Sequence, residues 1–369
     1  MQRSVLLDAH RAHSARLSAG DPPRLLTYGK VPEEYRAAIE AAVLFDETDR
    51  GCLAVRGPDA AAFLHRLLAN DVRGLAPGVG NRNLLLSPKG KVLEDFDLAP
   101  EASGHTGGAF LLSTPPGRAA ALAERLDTYL FADQVELVDL TGEHAPLALS
   151  GPAAARVVHA VLGVDPPARP HAPLEVAFEG ARGRLAGLPV AGSPGWRVDL
   201  GPRAAPRLWA ALAAAGATPA GIVVRDILRV EAGRALWGED VDESVYPQEA
   251  RMQDAFSLEK GCYIGQEVVA KIDTYGGLNK RLCGLSVDSD EPVARGTRLY
   301  REDGGEWRDL GLVTSWAYSF ALDTGLVLAY LKRRHQEAGT EFRVGEGPLR
   351  ARVVELPVRA GALPLTGAE

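Results

Sequence analysis

Apolar positions in the first half of the chain repeat one pattern: a short strand, a Gly-Pro turn and a helix. Residues 53–65 begin with a short apolar run, pass through a Gly-Pro pair and end in a segment whose apolar residues recur at helical spacing. Residues 147–159 repeat the same order. A proline suits the first position of a helix because the N–H that it lacks has no partner there. The pattern predicts two strand–helix units, with Pro58 and Pro152 at the start of the helices.

A second pair of segments extends this similarity. Residues 110–126 and residues 196–212 each place an apolar strand, a Pro/Gly turn and a helix in that order. Two strand–helix units in each copy predict two related α+β subdomains of a ferredoxin-like kind. Chance similarity within an alanine-rich sequence is the alternative that this pattern leaves open.

The pattern changes in the last quarter of the chain, where short β-type runs are separated by Gly, Asp and Glu. These runs are residues 282–287, 310–315, 325–331 and 351–354. They predict a small antiparallel barrel or sandwich as a separate C-terminal domain. Upstream, residues 101–108 are predicted to be a hairpin-like loop and residues 164–173, with four prolines, a surface connection.

Length, charge and cysteine usage narrow the class of protein. A chain of 369 residues exceeds the size of one hydrophobic core, so two or three domains are expected. The net charge of -7 argues against a nucleic-acid or anionic-membrane partner. The polar N-terminus does not resemble a secretory signal, and three cysteines without CxxC spacing predict neither disulfides nor a cysteine-only metal cage. We therefore expect a cytoplasmic, monomeric protein with free thiols and no metal site.

Cys262 is the strongest candidate for a reactive group. Two glycines bracket it, and a helix is predicted from Gln266. A thiol just before a helix N-terminus lies near the positive end of the helix dipole, and Lys260 adds a cation, so both favour thiolate. Glu267, in the first helical turn, is placed to close the cap or to orient a ligand amine. A buried structural cysteine is the alternative, because free cysteines are most often buried.

The same segment resembles a known family. The octet Lys260-Gly-Cys-Tyr-Ile-Gly-Gln-Glu267 matches every fixed position of the K-G-C-Y-x-G-Q-E signature of YgfZ proteins and their mitochondrial iron–sulfur assembly relatives. These belong to the superfamily of the glycine-cleavage T-protein, which binds folate. The resemblance implies that Cys262 and Lys260 are the catalytic residues. It also implies that Tyr263, Gln266 and Glu267 belong to the cofactor site.

Residues 228–240 resemble a further T-protein block, L-R-x-E-A-G-x-x-x-x-G-x-D. This resemblance implies that Arg229 and Glu231 lie at or near the folate. From the residues alone, the two charges are an i, i+2 pair that shares no helix face. A solvated, salt-bridging role is the alternative for such a pair.

An acidic strand is predicted within residues 87–98, after a Pro-Lys-Gly turn. Alternation along a strand places Asp95 and Asp97 on one face and Glu94 on the other. The segment resembles the G-x-x-x-D-D block of the T-protein, in which Asp95 falls on the second aspartate and Glu94 replaces the first. The resemblance implies a folate contact for Asp95. A short acidic strand without a ligand is the alternative.

One segment departs from the T-protein pattern. Residues 191–199 carry Trp196 and Arg197 where the family has an aromatic residue and a glutamate of the folate site. An arginine at this position would suit the anionic glutamyl tail of folate. This departure, together with the cysteine of the octet, argues against aminomethyl transfer from a lipoyl carrier.

The resemblance implies an α+β fold in which two related ferredoxin-like, T-protein folate-binding subdomains form a ring, followed by a C-terminal antiparallel β-barrel. We expect a folate-binding region over residues 1–275, with a subdomain at about 51–140 inserted between 1–50 and 141–275. The barrel is expected over residues 276–369.

The predicted function is that of a tetrahydrofolate-binding, YgfZ-like protein that supports assembly or repair of iron–sulfur enzymes, with folate and iron–sulfur client proteins as partners. One alternative is a tetrahydrofolate-dependent aminomethyltransferase or a demethylating one-carbon transferase. The other is a binding scaffold without catalysis. Whether the protein has turnover of its own is left open.

Overall fold

The computed structural model describes residues 2–76, 78–101, 108–303 and 305–365. Most of the loop predicted at residues 101–108 lies outside these ranges. The chain forms two compact units. Unit 1 consists of Met1–Leu85, Glu94–Arg225 and Glu259–Tyr263. Unit 2 consists of Leu86–Leu93, Asp226–Leu258 and Ile264–Glu369.

Helices and strands alternate through unit 1. Its helices are α1 (Leu7–Ala12), α2 (Val31–Glu40), α3 (Ala60–Leu67), α4 (Ala119–Asp127), α5 (Ala154–Leu162) and α6 (Ala205–Ala214), and α7 (Ile222–Glu231) continues into unit 2. Its strands are β1 (Arg16–Leu17), β2 (Leu25–Thr27), β3 (Val43–Asp46), β4 (Gly51–Arg56), β5 (Asn81–Leu86), β6 (Val92–Pro100), β7 (Ala109–Thr114), β8 (Glu136–Asp139), β9 (Leu147–Ser150), β10 (Pro173–Phe178), β11 (Ala181–Gly187), β12 (Gly195–Asp199) and β13 (Thr218–Ala220). The last residue of β5 and the first two residues of β6 belong to unit 2.

The predicted duplication is present in the order of these elements. Strand β4 is followed by α3, three strands, α4 and β8, and strand β9 is followed by α5, three strands, α6 and β13. The first copy forms a five-stranded sheet in the order β5-β6-β7-β4-β8. The second forms a sheet in the order β10-β11-β12-β9-β3-β13, in which β3 pairs with both β9 and β13.

The start of each repeated helix differs from the prediction. The helices begin at Ala60 and Ala154, two residues after the proline, so the proline lies in a turn. Gly57 and Gly151 adopt positive φ angles of 127° and 106°. The N–H group of Ala60 donates to the carbonyl of Gly57 at 3.1 Å, and that of Ala154 donates to the carbonyl of Gly151 at 3.0 Å. Each of these hydrogen bonds closes a turn that contains the proline, so the regular helix begins at the end of that turn.

The core of the second sheet is formed by apolar side chains of its strands and of α5 and α6. Leu147, Leu149 and Leu185 on the strands pack in one cluster with Val158 and Leu212 on the helices, and all five are fully buried. This packing fixes one face of each strand against the helices. The opposite face of the strands is therefore available for the residues of a site.

Unit 2 contains the barrel. Its elements are α8 (Gln266–Tyr275), β14 (Lys280–Val287), β15 (Arg298–Asp303), β16 (Glu306–Ser319), β17 (Thr324–Lys332), β18 (Glu341–Val344) and β19 (Arg350–Val354). The strands close in the order β14-β17-β16-β15-β18-β19, and each paired strand is antiparallel to its neighbour. The predicted α+β fold with a C-terminal antiparallel barrel is confirmed. The exact domain bounds remain a proposal.

None of the helices in the described residues is long and apolar enough to cross a bilayer.

Candidate functional site

A cleft of about 110 Å³ in unit 1 is lined by residues of both sheets. The lining combines apolar side chains with arginines, histidines and aspartates. It consists of Arg50, Gly51, Cys52, Asp97, Leu98, Ala99, Leu111, Ser113, His144, Pro146, His171, Pro173, Arg184, Ala186, Leu188, Arg197 and Asp199. A mainly apolar concavity with a few charged groups is the usual form of a small-molecule site.

Strand β6 supplies one wall of this cleft. Burial alternates along it from Val92 to Pro100, which confirms the predicted separation of Glu94 from Asp95 and Asp97. Glu94 is buried on the side of α4, where the guanidinium groups of Arg118 and Arg125 contact its carboxylate. Asp97, on the opposite face, lines the cleft.

Asp97 belongs to a network of four charged side chains. Arg197 donates from Nε to Glu47 Oε2 at 2.7 Å and from Nη1 to Asp97 Oδ2 at 3.1 Å. Arg50 Nη2 lies 3.5 Å from the same oxygen of Asp97, and Arg50 is held by Ser113. The side chains of Arg197 and Glu47 are only 11% and 7% exposed. The cluster is therefore a buried, charge-compensated network.

The arginines keep both carboxylates ionised. Burial alone would raise the pKa of Glu47, but Arg197, Arg50 and Arg225 outweigh it and lower that pKa to about 2. The pKa of Asp97 is also lowered, because Arg197 and Arg50 again outweigh burial. Asp97 is thus a fixed negative charge in the cleft at neutral pH.

Asp95 and Trp196 lie apart from this cluster. Asp95 makes a bidentate pair with Arg82 at 2.9 and 2.7 Å. Trp196, adjacent to Arg197 on β12, packs against the core cluster and donates from Nε1 to Pro167 O at 3.1 Å. The structure therefore brings only Arg197 of these three predicted residues into the lining of the cleft. Folate contacts of Asp95 and Trp196 stay predictions.

A second polar group in the cleft is centred on His144. Its Nδ1 bonds to Asp199 Oδ2, and Asp199 Oδ1 accepts the backbone N–H groups of Ala145 and Gly201 at 3.0 Å each. Burial alone would lower the pKa of His144, but hydrogen bonds to Asp199 and Cys52 raise it to about 10. The imidazole is therefore protonated at neutral pH.

This shift predicts a specific pH dependence of stability. Because the folded pKa of His144 lies above the ordinary 6.5, its contribution is complete below pH 6.5 and is lost as the pH rises through about 10. Urea unfolding is expected to show a fall of a few kcal/mol over this interval, and His144→Gln should flatten it. An equally steep fall in His144→Gln would contradict the assignment.

The predicted catalytic loop lies in unit 1 next to α3. Cys262 is exposed, so the buried-cysteine alternative is wrong. The Nζ of Lys260 donates to the carbonyl of His65, whose Nε2 lies 3.1 Å from Lys260 O. Burial lowers the pKa of Lys260 to about 8, against the opposing effect of Asp71 and Cys262. Tyr263 is buried, and burial raises its pKa to about 12.

The remaining predicted residues lie in unit 2. Gln266 and Glu267 open α8 as expected; Glu267 is exposed and pairs with Lys271 at 2.6 Å. Arg229 and Glu231 are buried, which excludes the solvated role. Their charged groups are bound within unit 2, by residues that include Asp240, Ser319 and Arg359. The structure brings none of these four side chains into the cleft lining of unit 1, and a folate contact for them stays a prediction.

Sequence reasoning missed Glu47, Arg50 and His144 as site residues. Glu47 and Arg50 lie in the connection between β3 and β4, and His144 lies between β8 and β9. They meet Arg197, Asp97 and Asp199 only because distant strands pair in the sheets. The nearest signal was the pair Asp95 and Asp97 on one strand face.

Known families match most of the chain. The model of the GCVT N-terminal domain matches residues 10–260, and that of the glycine cleavage T-protein C-terminal barrel domain matches residues 280–358. An aminomethyltransferase of Rubrobacter xylanophilus is 33% identical over 362 residues, covering 97% of this chain and 94% of the relative. One of Geobacillus kaustophilus is 32% identical over 339 residues, covering 89% and 90%.

A solved structure agrees in fold. The glycine cleavage system aminomethyltransferase T of Bartonella henselae superposes with a TM-score of 0.86 at 24% identity, covering 99% of each chain. These matches support the superfamily indicated by the sequence motifs and do not extend to its YgfZ branch. The chain belongs to the glycine cleavage T-protein family.

Proposed function

We propose that this protein is a tetrahydrofolate-dependent one-carbon transferase of the aminomethyltransferase type, with the cleft of unit 1 as its folate site. The observation that carries the proposal is the buried network of Glu47, Arg197, Asp97 and Arg50 set into mainly apolar walls. Relatives named aminomethyltransferase that align over most of the chain support it. This reverses the order in which the sequence alone ranks the two functions.

The residues of the cleft fit the chemistry of a folate. The apolar walls suit flat rings, and a carboxylate such as Asp97 suits ring N–H donors. Within the described part of the chain, Arg50 and Arg197 contact Asp97 through its Oδ2 atom. The Oδ1 atom is the oxygen to which a ring N–H would donate. Arg184 lies in the same lining and offers a cation to an anionic tail. When bound, tetrahydrofolate supplies the nitrogen that accepts the one-carbon unit.

The low pKa of Asp97 defines what this residue does. An acceptor held ionised by two arginines is a weak base at neutral pH, so Asp97 does not take the proton. It instead orients the ligand and stabilises positive charge that develops at a nitrogen in the cleft. Arg197 is a positioning residue, because Glu47 fixes it from the other side.

The test is a transfer assay with an aminomethyl-loaded lipoyl carrier protein and tetrahydrofolate, measuring methylene-tetrahydrofolate. We expect turnover by the wild type and a loss of about 100-fold or more in kcat for Asp97→Asn, the scale of removing one preorganised electrostatic group. Asp309→Asn, a surface change in the barrel, is the matched control and should keep full activity. Product formation at the uncatalysed rate by the wild type would refute the proposal.

One observation favours a second function, support of iron–sulfur enzymes. Cys262 of the octet is exposed, with the half-buried Lys260 in the same loop. On this reading iron–sulfur client proteins are the partners. Cys262→Ser should then fail to complement a strain that lacks YgfZ function, while full complementation would remove the thiol from the mechanism. A silent transfer assay with failed complementation would favour this second function.

A further inference from the structure

An exposed tryptophan marks a groove on the surface of the barrel in unit 2. Trp307, on β16, is 45% exposed, although large aromatic side chains are usually well buried. The groove has a volume of about 370 Å³ and is lined mainly by residues of β15, β16, β18 and β19. It shares no residue with the cleft of unit 1, so it is available for a separate ligand or partner.

Two arginines lie against the ring of this tryptophan. The Cζ atom of Arg343 lies 4.1 Å from the ring centre of Trp307, and that of Arg350 lies 5.9 Å from it. Strand pairing positions the arginines, because Arg343 on β18 is directly opposite Arg350 on β19 and opposite Tyr300 on β15. The ring centre of Tyr300 is 5.4 Å from the Cζ atom of Arg343. Cation–π contacts with the two rings therefore hold the guanidinium groups in place.

The two arginines have no carboxylate partner within the described part of the chain. Neither Arg343 nor Arg350 makes an ion pair or a side-chain hydrogen bond there, and the Nε atom of Arg343 is buried without a hydrogen-bond partner. Arg352, further along β19, shows the usual alternative, because it pairs with Glu341 at 2.6 Å. Like charges directly opposite each other destabilise a pair of strands. An anion bound to both guanidinium groups would remove that repulsion.

The composition of the groove indicates a protein partner. Its charged lining residues are Arg301, Glu302, Glu341, Arg343 and Arg350. Because Arg352 already neutralises Glu341, the arginines of the described lining outnumber the remaining carboxylate. Exposed Trp, Tyr and Arg side chains are those that dominate protein–protein interfaces. A nucleic acid fits less well, because the net charge of -7 repels a polyanion and the arginines lie over the indole on which a base would stack.

We propose that this surface binds an acidic segment of a partner protein. Neighbouring carboxylates of the segment pair with Arg343 and Arg350, whose planar guanidinium groups suit bidentate contacts with carboxylates. An apolar side chain of the partner covers the exposed part of Trp307 and excludes water from these pairs. The contact is non-covalent and uses neither folate nor the cleft of unit 1, so it is independent of one-carbon transfer.

The test is a fluorescence-polarisation titration of the intact protein with a short labelled peptide that carries glutamates around one leucine. The same peptide with glutamines in place of the glutamates is the control for charge. We expect saturable binding of the glutamate peptide, with an affinity at least about tenfold higher than that of the glutamine peptide, the scale of one charge-assisted hydrogen bond. The affinity should fall as the salt concentration rises.

Variants locate the binding on the barrel. Arg350→Gln should weaken binding of the glutamate peptide by at least about tenfold. Arg298→Gln makes the same change of charge at an arginine that pairs with Asp309 outside the groove, and it should leave the affinity unchanged. Trp307→Leu should also weaken binding, and it serves as the test should Arg350→Gln not fold.

The proposal is overturned if the wild type does not bind the glutamate peptide, if both peptides bind equally, or if folded Arg350→Gln binds like the wild type. Tighter binding of a single-stranded oligonucleotide, lost in Arg350→Gln, would overturn it by assigning the surface to nucleic acid. A wild-type dimer that Arg350→Gln dissociates in sedimentation experiments would overturn it by assigning the surface to a second copy of this chain.

Discussion

Asp240→Ala is expected to lower the free energy of unfolding by about 3–5 kcal/mol, the scale of breaking a buried ion pair from one side. Asp240 is buried in unit 2 and accepts hydrogen bonds from Arg229 Nη1 at 2.8 Å and Leu236 N at 3.0 Å. Its other oxygen accepts from Thr314 Oγ1 at 2.5 Å and Ser315 Oγ at 2.7 Å. The alanine variant would leave the buried guanidinium without this carboxylate.

The control for this prediction is the preceding residue. Glu239 is half exposed and pairs with the equally exposed Arg295 at 3.4 Å. Glu239→Ala should change stability by less than about 1 kcal/mol, as expected of a surface ion pair. Equal losses for the two alanine variants in urea unfolding would show that the buried network does not stabilise unit 2.

Arg197→Met is expected to lower the free energy of unfolding by about 3 kcal/mol and to abolish ligand binding in the cleft. The change leaves Glu47 and Asp97, both ionised in the wild type, without the guanidinium between them. Arg207→Met is the matched control, because Arg207 and its partner Glu179 are 57% and 52% exposed. It should cost less than about 1 kcal/mol.

The loss in Arg197→Met should also depend on pH. Because the folded pKa of Glu47 lies at about 2, below its ordinary 4.5, its stabilising contribution is complete above pH 4.5 and is lost as the pH falls through about 2. The difference between wild type and Arg197→Met is therefore expected to shrink in acid. A constant difference across this interval would show that lost packing, rather than charge, causes the destabilisation.

Local patterns in the sequence predicted the repeated units. They also predicted a small antiparallel barrel or sandwich in the last part of the chain, and the family resemblance implied the barrel that the structure shows. Strand, glycine turn and helix depend on neighbouring residues, as at Gly57 and Gly151, so the duplication could be read directly. Strand β3 could not be placed in this way. It pairs through Val43 with Ser150 on one side and Thr218 on the other, and such distant pairings leave no local signal.

The site was predicted only in part for the same reason. Alternation placed Asp95 and Asp97 on one face of β6, and Arg197 was singled out from the family pattern. Which of the two aspartates meets Arg197 depends on the positions of separate strands, and the partner is Asp97. Glu47, one residue past β3, completes the pair from a segment distant in sequence.

The contacts of the buried charges in unit 2 were also not predicted from the sequence. Arg229 and Glu231 read from sequence as ordinary charges near a folate site. Their partners include Ser315 and Ser319 on β16, far along the chain. A bulge between Val313 and Ser315 shifts the register of β16 against β17 at Thr314. Neighbouring hydroxyls there reach the same carboxylate, although a regular strand would point them to opposite faces.

The central claim is that the cleft of unit 1 binds tetrahydrofolate through Asp97. Calorimetric titration of the wild type and Asp97→Asn with tetrahydrofolate, under anaerobic conditions, tests it most directly. The account predicts saturable binding of one ligand to the wild type and an affinity at least about tenfold weaker in the variant, the loss of one charge-assisted hydrogen bond. Saturable binding of equal affinity in both proteins, or none in the wild type, would contradict it.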